Sequence, residues 1–561
     1  MSPYGVDSEI CSDRRSRSSS PDPLASNAGT ALPYATRSAL HLKGLVPSGV
    51  ENFVMQEQRA LEQLNIKSTN LEKYIFLSWL RSTNINLFYR LVLHNLKQIA
   101  PVIYTPTYSH IYPFLAPPNA VDGLYISLNE VETLPRLLPT TGDEPEITVI
   151  TDGSRILGLG DLGMNGMGIP VGKLQLYVAA AGLNPNRCLP IVLDFGTDTE
   201  KYLEDPLYLG IRHTHRARFG LLEHWRRKAL CFNDDIQGTG CVILGGFISA
   251  VEQAGIPPQH QRIMFVGAGS AGVGVAKQLI DYFIIEYGIP ESEAKAMFWF
   301  VDSRGMITAN RGDKLAQHKV YFARTDNGTI QCKSIEETLE YVRPTALIGL
   351  STIYKAFSEK ILRRMNEINA QSRPIVFPLS NPETKAECTF EEAMRCTDNR
   401  VLFASGTAFP EYTIPGTDDV RVPGQGNNMY VFPAIGLGAV LCKPICITDT
   451  MIYAVSKALA ESLNAEEKGK GELYPRIERI REVSAQLAAA FIRQAVREGL
   501  AKDTKWVELC PPWRSPGARA GGSSGSGRGN GASFRRSPPR GPPGRGPATG
   551  GQRRAQDQPT G

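Results

Sequence analysis

Residues 262–288 read RIMFVGAGSAGVGVAKQLIDYFIIEYG, and this run decides the expected fold. An apolar run of strand length comes first, then Gly267, Gly269 and Gly272 in G-x-G-x-x-G spacing, then a long helical pattern. In that order, the first glycine permits a tight turn, the second admits a pyrophosphate and the third lets helix pack on strand. The phosphate is then expected at the helix N-terminus, where unpaired N–H groups and the helix dipole favour an anion. Downstream, MFWFVD ends in Asp302, an acid at the tip of the second strand suited to a ribose hydroxyl, with Ser303 beside it. ALIGLS, PIVFPLS and VLFASG supply three more buried-strand candidates. Short apolar runs alternating with helices predict an α/β fold, a Rossmann-like doubly wound parallel sheet.

Upstream, residues 151–173 read TDGSRILGLGDLGMNGMGIPVGK, between a strand-like run (EITVIT) and a helix-like one (LQLYVAAAG). Gly158, Gly160 and Gly163 repeat the G-x-G-x-x-G spacing, but Gly166, Gly168 and Pro170 follow, so no helix is expected at the third glycine. This stretch is therefore set aside as a nucleotide loop. A glycine-rich loop can still bring backbone close to a small anion. Arg155 could hold a carboxylate bidentately, and Lys173, at the edge of an apolar helix, could have its pKa lowered by desolvation and act as a base; the ordinary reading is a surface Arg and a solvated Lys beside a loop.

The 561 residues exceed one core and imply two or three domains. At 42% hydrophobic and 21% charged, the bulk reads as an ordinary globular chain. The net charge of +5 is unevenly spread: from Pro511 onward nine Arg face one Asp, leaving a mildly acidic remainder of −3. Nucleic acid is thus not an expected partner, and no apolar run reaches membrane-spanning length. Ten Cys without close paired spacing do not form a disulfide framework, and Cys442 and Cys446 lack the neighbours of a zinc site. Reduced thiols fit cytoplasm or the mitochondrial matrix, although Asp7, Glu9 and Asp13 argue against a transit peptide.

Residues 1–35 are Ser/Pro/Arg-rich and expected to be disordered. Residues 36–236 open with helical periodicity from Glu51 to Ile99, stopped by Pro101, and continue as a substrate domain. Residues 237–508 hold the nucleotide half and C-terminal helices, with Met429–Cys442 a buried helix. Residues 509–561, Gly/Pro/Arg-rich, cannot build a core and form a disordered tail.

Single residues in other runs carry an ordinary reading beside a chemical one. Tyr104 in PVIYTPT is a packing aromatic or an acid, and Asp234 and Asp235 in FNDDIQGTG are a cap or ligands for Mg²⁺ or Mn²⁺. Asn381, after PIVFPLS, lies at the carboxyl end of a strand, where ligands of open parallel sheets bind. Asn427 and Asn428, before the buried helix, are caps or ligand contacts.

Taken together, PVIYTPT, the 151–173 loop, LCFNDDIQGTG, FVGAGSAGVG, LSNP and GQGNNMYVFP closely resemble malic enzymes, in that family's order, from about Leu40 to Trp506. The resemblance implies oxidative decarboxylation of L-malate to pyruvate and CO₂ with NAD(P) and a divalent cation. It implies Lys173 as general base, Tyr104 as the acid that protonates C3 of enolpyruvate, and Arg155 as a carboxylate clamp. Asn381 and one of Asn427 and Asn428 would orient malate, and family members are dimers or tetramers. The cofactor expectation leans to NAD through Asp302, with NADP accepted because Ser303, Arg304 and Lys319 follow.

The chain also departs from that family. Malic enzymes hold metal through an adjacent Glu-Asp upstream of the FNDD segment and through its second Asp. Here YLGIRHTHRARFG runs directly into LLEHWRRKALCFNDD, a shortening near residues 216–220 that leaves Asp235, beside Asp234, as the family ligand. Impaired turnover is expected, and a catalytically defective NAD-binding subunit that assembles with an intact relative is the alternative.

Overall fold

Asn52, Thr69 and Asn84 each accept a backbone N–H three residues ahead and so start a helix. These helices are α1 (Phe53–Asn65), α2 (Asn70–Thr83) and α3 (Ile85–His94). Thr69 and Glu72 complete a capping box, satisfying two orphan N–H groups at once. The helical periodicity is realised as buried Tyr74, Leu77 and Leu80 on α2 and Phe88, Leu91 and Val92 on α3. Pro101 does not stop the helical region: α4 (Leu96–Ile103) carries it internally, because the apolar face of Ile99, Val102 and Ile103 is buried on both sides of the proline. The computed structural model describes residues 29–104, 107, 123–133, 144–156, 159–212 and 221–509. The expectations for residues 1–28, Gly158, the junction at 216–220 and the tail from 510 lie outside these.

The first sheet is parallel, in the order β1 (Leu124–Ser127), β3 (Cys188–Asp194), β2 (Ile147–Thr151). Between β2 and β3, a 3₁₀ turn at Gly163–Met167 leads into α5 (Gly168–Ala181). A helical segment thus does begin at Gly163, contrary to the sequence expectation. Pro170 sits in the first turn of α5, where its missing N–H would have had no partner anyway. Nearly every residue of α5 is buried, as for a helix enclosed on all sides. It is enclosed by β2, β3, α8 (Phe432–Cys442) and α10 (Ile480–Arg497).

Among the described residues, a seven-stranded sheet holds the second core. Its strands are β4 (Ile263–Val266), β5 (Phe298–Asp302), β6 (Gly305–Met306), β7 (Ala346–Gly349), β8 (Ile375–Pro378), β9 (Leu402–Ser405) and β12 (Gly424–Gln425), with a separate hairpin of β10 (Tyr412–Thr413) and β11 (Val420–Arg421). The order is β12-β9-β8-β7-β4-β5-β6, parallel throughout except for the β5–β6 pair. β4, β7, β8 and β9 are buried along their whole length, the signature of a sheet covered by helices on both faces. α6 (Thr239–Ala254) and α7 (Ser270–Tyr287) pack on the sheet through Phe247 against Phe377 and Phe283 against Phe298, and α9 (Asp449–Glu461) packs on α6. No described helix is long and apolar enough to cross a membrane, and the eight described cysteines are free thiols.

Candidate active site

Lys173 projects from α5 into a cleft of about 1590 Å³ bordered by Tyr104, Asp234, Asp235, Asn381, Asn427 and Asn428. Its ammonium donates to Asp234 Oδ2 at 2.7 Å and lies 3.4 Å from Asp235 Oδ1. Burial alone would push the Lys173 pKa down, as the sequence suggested. The structure reverses the sign: the carboxylates of Asp234 and Asp235 outweigh burial and hold it well above the ordinary lysine value. In the free cleft, Lys173 is an ammonium. Its charge also lies 6.0 Å from the centroid of the Phe432 ring.

Asp234 and Asp235 begin a π-helical turn (Asp234–Gly238) that runs straight into α6, with Asn233 capping it through the Ile236 N–H. Acids at a helix start are favoured by the helix dipole. Asn428 donates from Nδ2 to the Asp234 backbone oxygen at 3.0 Å and to its Oδ2 at 3.1 Å, while Thr239 Oγ1 donates to Asn428 Oδ1. Asn427 instead spends its side-chain oxygen on the Met429 N–H, capping the short turn Asn428–Tyr430.

Gly238 makes the fold-back of Asp234 possible. A Cβ there would lie 2.0 Å from Asp234 Oδ1. The group in its way is the end of a short side chain, so Gly238→Ala is expected to displace Asp234 from Lys173 rather than to unfold the chain. Activity should fall at least about tenfold, equivalent to roughly 1.4 kcal/mol, with a Tm loss of no more than about 4 °C. Steady-state rates and thermal unfolding of the variant check this.

Asp234 Oδ1 is buried without a hydrogen-bond partner among the described residues. A buried carboxylate oxygen with unmet demand, beside a second and more exposed carboxylate, fits a hard divalent cation held partly by substrate and water. Among the described residues, no cluster of three or more His, Cys, Asp or Glu side chains is arranged for metal binding.

Tyr104 ends α4 and is buried edge-on to Phe432, with ring centroids 6.4 Å apart. Burial pushes its phenol pKa up and the Lys173 charge pulls the other way; the net shift is upward, so the phenol keeps its proton. Asn381 follows β8 at the cleft wall, where Gly406 leaves room for its amide. Arg155 is exposed and is not among the residues lining the cleft, so the structure does not bring it to Lys173.

The fingerprint glycines lie along the same carboxyl edge of the large sheet, outside the cleft lining. Gly267 has φ 108°, Gly269 precedes α7 at its N-terminus, and Gly272 packs against the Gly267 carbonyl oxygen. A Cβ on Gly269 would meet nothing within 4 Å, leaving room over the helix N-terminus for a pyrophosphate. Ser303 is exposed beside Asp302. Asp302 is fully engaged: Arg311 donates to both oxygens at 2.7 and 3.1 Å and Lys319 donates at 2.8 Å. Burial opposes its ionisation, but the hydrogen bonds from Arg311 and Lys319 prevail and hold its pKa at about 2.

The malic enzyme N-terminal domain model matches residues 81–220, and the malic enzyme NAD-binding domain model matches residues 236–496. The NADP-dependent malic enzyme of Dictyostelium discoideum is 44% identical over 513 residues, covering 85% of this chain and 93% of that relative. This chain belongs to the malic enzyme family. The mitochondrial NAD-dependent malic enzyme 2 of Arabidopsis thaliana is 37% identical over 530 residues, covering 85% and 86% of the two chains. The crystal structure of Entamoeba histolytica malic enzyme aligns with a TM-score of 0.49 at 23% identity, covering 83% of this chain and 88% of that one. Within this malic enzyme frame, sequence reading overlooked Gly238, Thr239 and Phe432. The first two stand inside the quoted FNDDIQGTG run, and a glycine four residues after an acid was the available signal.

Proposed function

We propose that this chain converts L-malate to pyruvate and CO₂ with reduction of NAD or NADP. The observation that carries the reading is the buried Lys173–Asp234 pair beside Asp235 and Tyr104 in one cleft, within a chain of this family. A bound dinucleotide would supply the acceptor for the C2 hydride, and a divalent cation, which Asp235 and Asp234 would hold, would supply polarisation of the C2 oxygen.

The protein's residues then handle the protons. Lys173 takes the C2 hydroxyl proton, which requires its resting proton to leave first; a cation at Asp234 and Asp235 would offset the negative charge that holds that proton in the free cleft. Loss of C2 hydride and hydroxyl proton yields the β-keto acid, whose carboxylate departs as CO₂ and leaves its bonding pair as the enolate of pyruvate. Tyr104, kept protonated by burial, donates to C3, and the proton that Lys173 took from the hydroxyl restores the phenol. Asn381 orients the substrate from the strand end, and Asn428 keeps Asp234 aimed at Lys173. Arg155 reaches a substrate carboxylate only if its segment moves toward the cleft.

Asp302 has no oxygen to spare for a ribose hydroxyl, and Lys319 and Arg304 border it, which supports NADP at least as strongly as NAD. This revises the lean toward NAD. Leu71, Ile75 and Trp79 form an exposed apolar strip along α2, in keeping with a homo-oligomer.

With two neighbouring carboxylates as the candidate ligands, Mn²⁺ should bind weakly and turnover should run roughly 10²-fold or more below that of a fully liganded site. Formation of NADPH and NADH from L-malate across a Mn²⁺ titration checks all three points. No malate-dependent reduction of either dinucleotide at any Mn²⁺ concentration would overturn the activity. Tight Mn²⁺ with rapid turnover would overturn the impairment, and a tenfold preference for NAD would overturn the cofactor assignment.

A further inference from the structure

Glu387 is wholly buried. An isolated carboxylate in such a place is costly unless its oxygens are filled with donors. Oε1 is filled, accepting from the Ser351 N–H and hydroxyl, both at 2.9 Å, and from the Ser380 hydroxyl, while Oε2 accepts from the Ser380 N–H at 3.3 Å. The Ser380 hydroxyl also accepts the Thr352 N–H at 2.9 Å. Thr352 has φ 58°, a left-handed conformation that β-branched residues avoid, so this hydrogen bond holds an unfavourable turn in place. Gly349 makes room for the arrangement: a Cβ there would lie 2.5 Å from the Glu387 carboxyl carbon.

The residues tied together belong to two loops at the carboxyl edge of the large sheet. Ser351 and Thr352 follow β7, and the preceding Leu350 carbonyl lies where a Cβ on Gly267 would be, at 2.4 Å. Ser380 follows β8 and directly precedes Asn381. Backbone bonds from Lys355 and Phe357 to the Ala386 and Glu387 carbonyls anchor the acid's own segment.

The geometry points to Glu387 as a positioning residue that sets the malate-side Asn381 and the dinucleotide-side Gly267 loop in one register. It touches neither ligand and acts through Ser380 and Ser351. Its charge matters because four donors converge on it, three of them on Oε1; an amide keeps one acceptor oxygen and turns its nitrogen toward the Ser380 N–H or, flipped, toward the three donors at Oε1. This assignment rests on the proposed roles of Asn381 and Gly267.

The test is Glu387→Gln in the full chain, read as KM for malate, kcat, and dinucleotide affinity by NADPH fluorescence titration without malate. The expected result is at least a tenfold rise in both KM and dissociation constant, with kcat changed less than threefold. Asp194→Asn is the comparison, since Asp194 is another buried acid that accepts backbone N–H groups, from Gly196 and Ile211, in the other sheet. It should lower Tm and leave both constants unmoved. A folded Glu387→Gln protein with both constants within twofold of wild type overturns the proposal. Should that variant fail to fold, Ser380→Ala and Ser351→Ala decide: the first should raise malate KM more, the second should weaken the dinucleotide more, and no change in either overturns it. If the wild type turns over no malate, the functional reading fails, while the fluorescence titration still decides the nucleotide side.

Discussion

Lys173→Met is expected to lower kcat by about 10³-fold while dinucleotide affinity stays within twofold, because general acid–base groups contribute roughly 10²–10⁴-fold. The same change strands Asp234, which is 10% exposed and loses the cation that pairs with it. Removing one partner of a buried pair costs about 3–5 kcal/mol, so the variant should also unfold at lower denaturant. The double variant Lys173→Met/Asp234→Asn should recover most of that stability and none of the rate. Lys173→Arg should recover stability alone, since a guanidinium does not give up its proton. Chemical denaturation and stopped-time product assays on the three proteins separate the roles. Recovery of turnover in the double variant would exclude Lys173 from proton transfer.

Gly267→Ala should weaken dinucleotide binding by roughly 10²-fold. The new methyl group would stand 2.4 Å from the Leu350 carbonyl oxygen and 2.7 Å from the Ser351 nitrogen, both backbone atoms with nowhere to yield. The φ of 108° is itself open to glycine and strained for alanine. A combined cost of about 3 kcal/mol corresponds to roughly 10²-fold in affinity. Gly269→Ala makes the complementary case, because its methyl group meets open space in the free chain. That variant should fold with wild-type Tm and still bind NADPH at least about tenfold more weakly, if the pyrophosphate approaches there. Fluorescence titration with NADPH, paired with thermal unfolding, reads both. Unchanged affinity in Gly269→Ala would move the phosphate site elsewhere.

Much of the nucleotide half is legible from the chain alone. Ile263–Val266, Ala346–Gly349, Ile375–Pro378 and Leu402–Ser405 are short continuous apolar runs between helical patterns, and each became a buried parallel strand. The run around Gly267 carries its own context, so strand, turn and helix were all readable within 27 residues. Local rules misled where tertiary burial outweighed them. Pro101 remained inside α4 because an apolar face spans it, and a helical turn started at Gly163 despite the glycines that follow.

What the amino-acid order determined by itself was a fold of alternating strands and helices, the glycine fingerprint and the candidates Lys173, Tyr104, Asp234, Asp235 and Asn381. Only the tertiary structure decided the charge state of Lys173, since its partner Asp234 is 61 residues away and no periodicity links them. It likewise divided Asn427 from Asn428, giving the first to a cap and the second to an acid 194 residues distant, and it left Arg155 outside the cleft. Periodicity and propensity act over a few neighbouring residues, whereas a pKa is set by whichever charges packing places within a few ångströms.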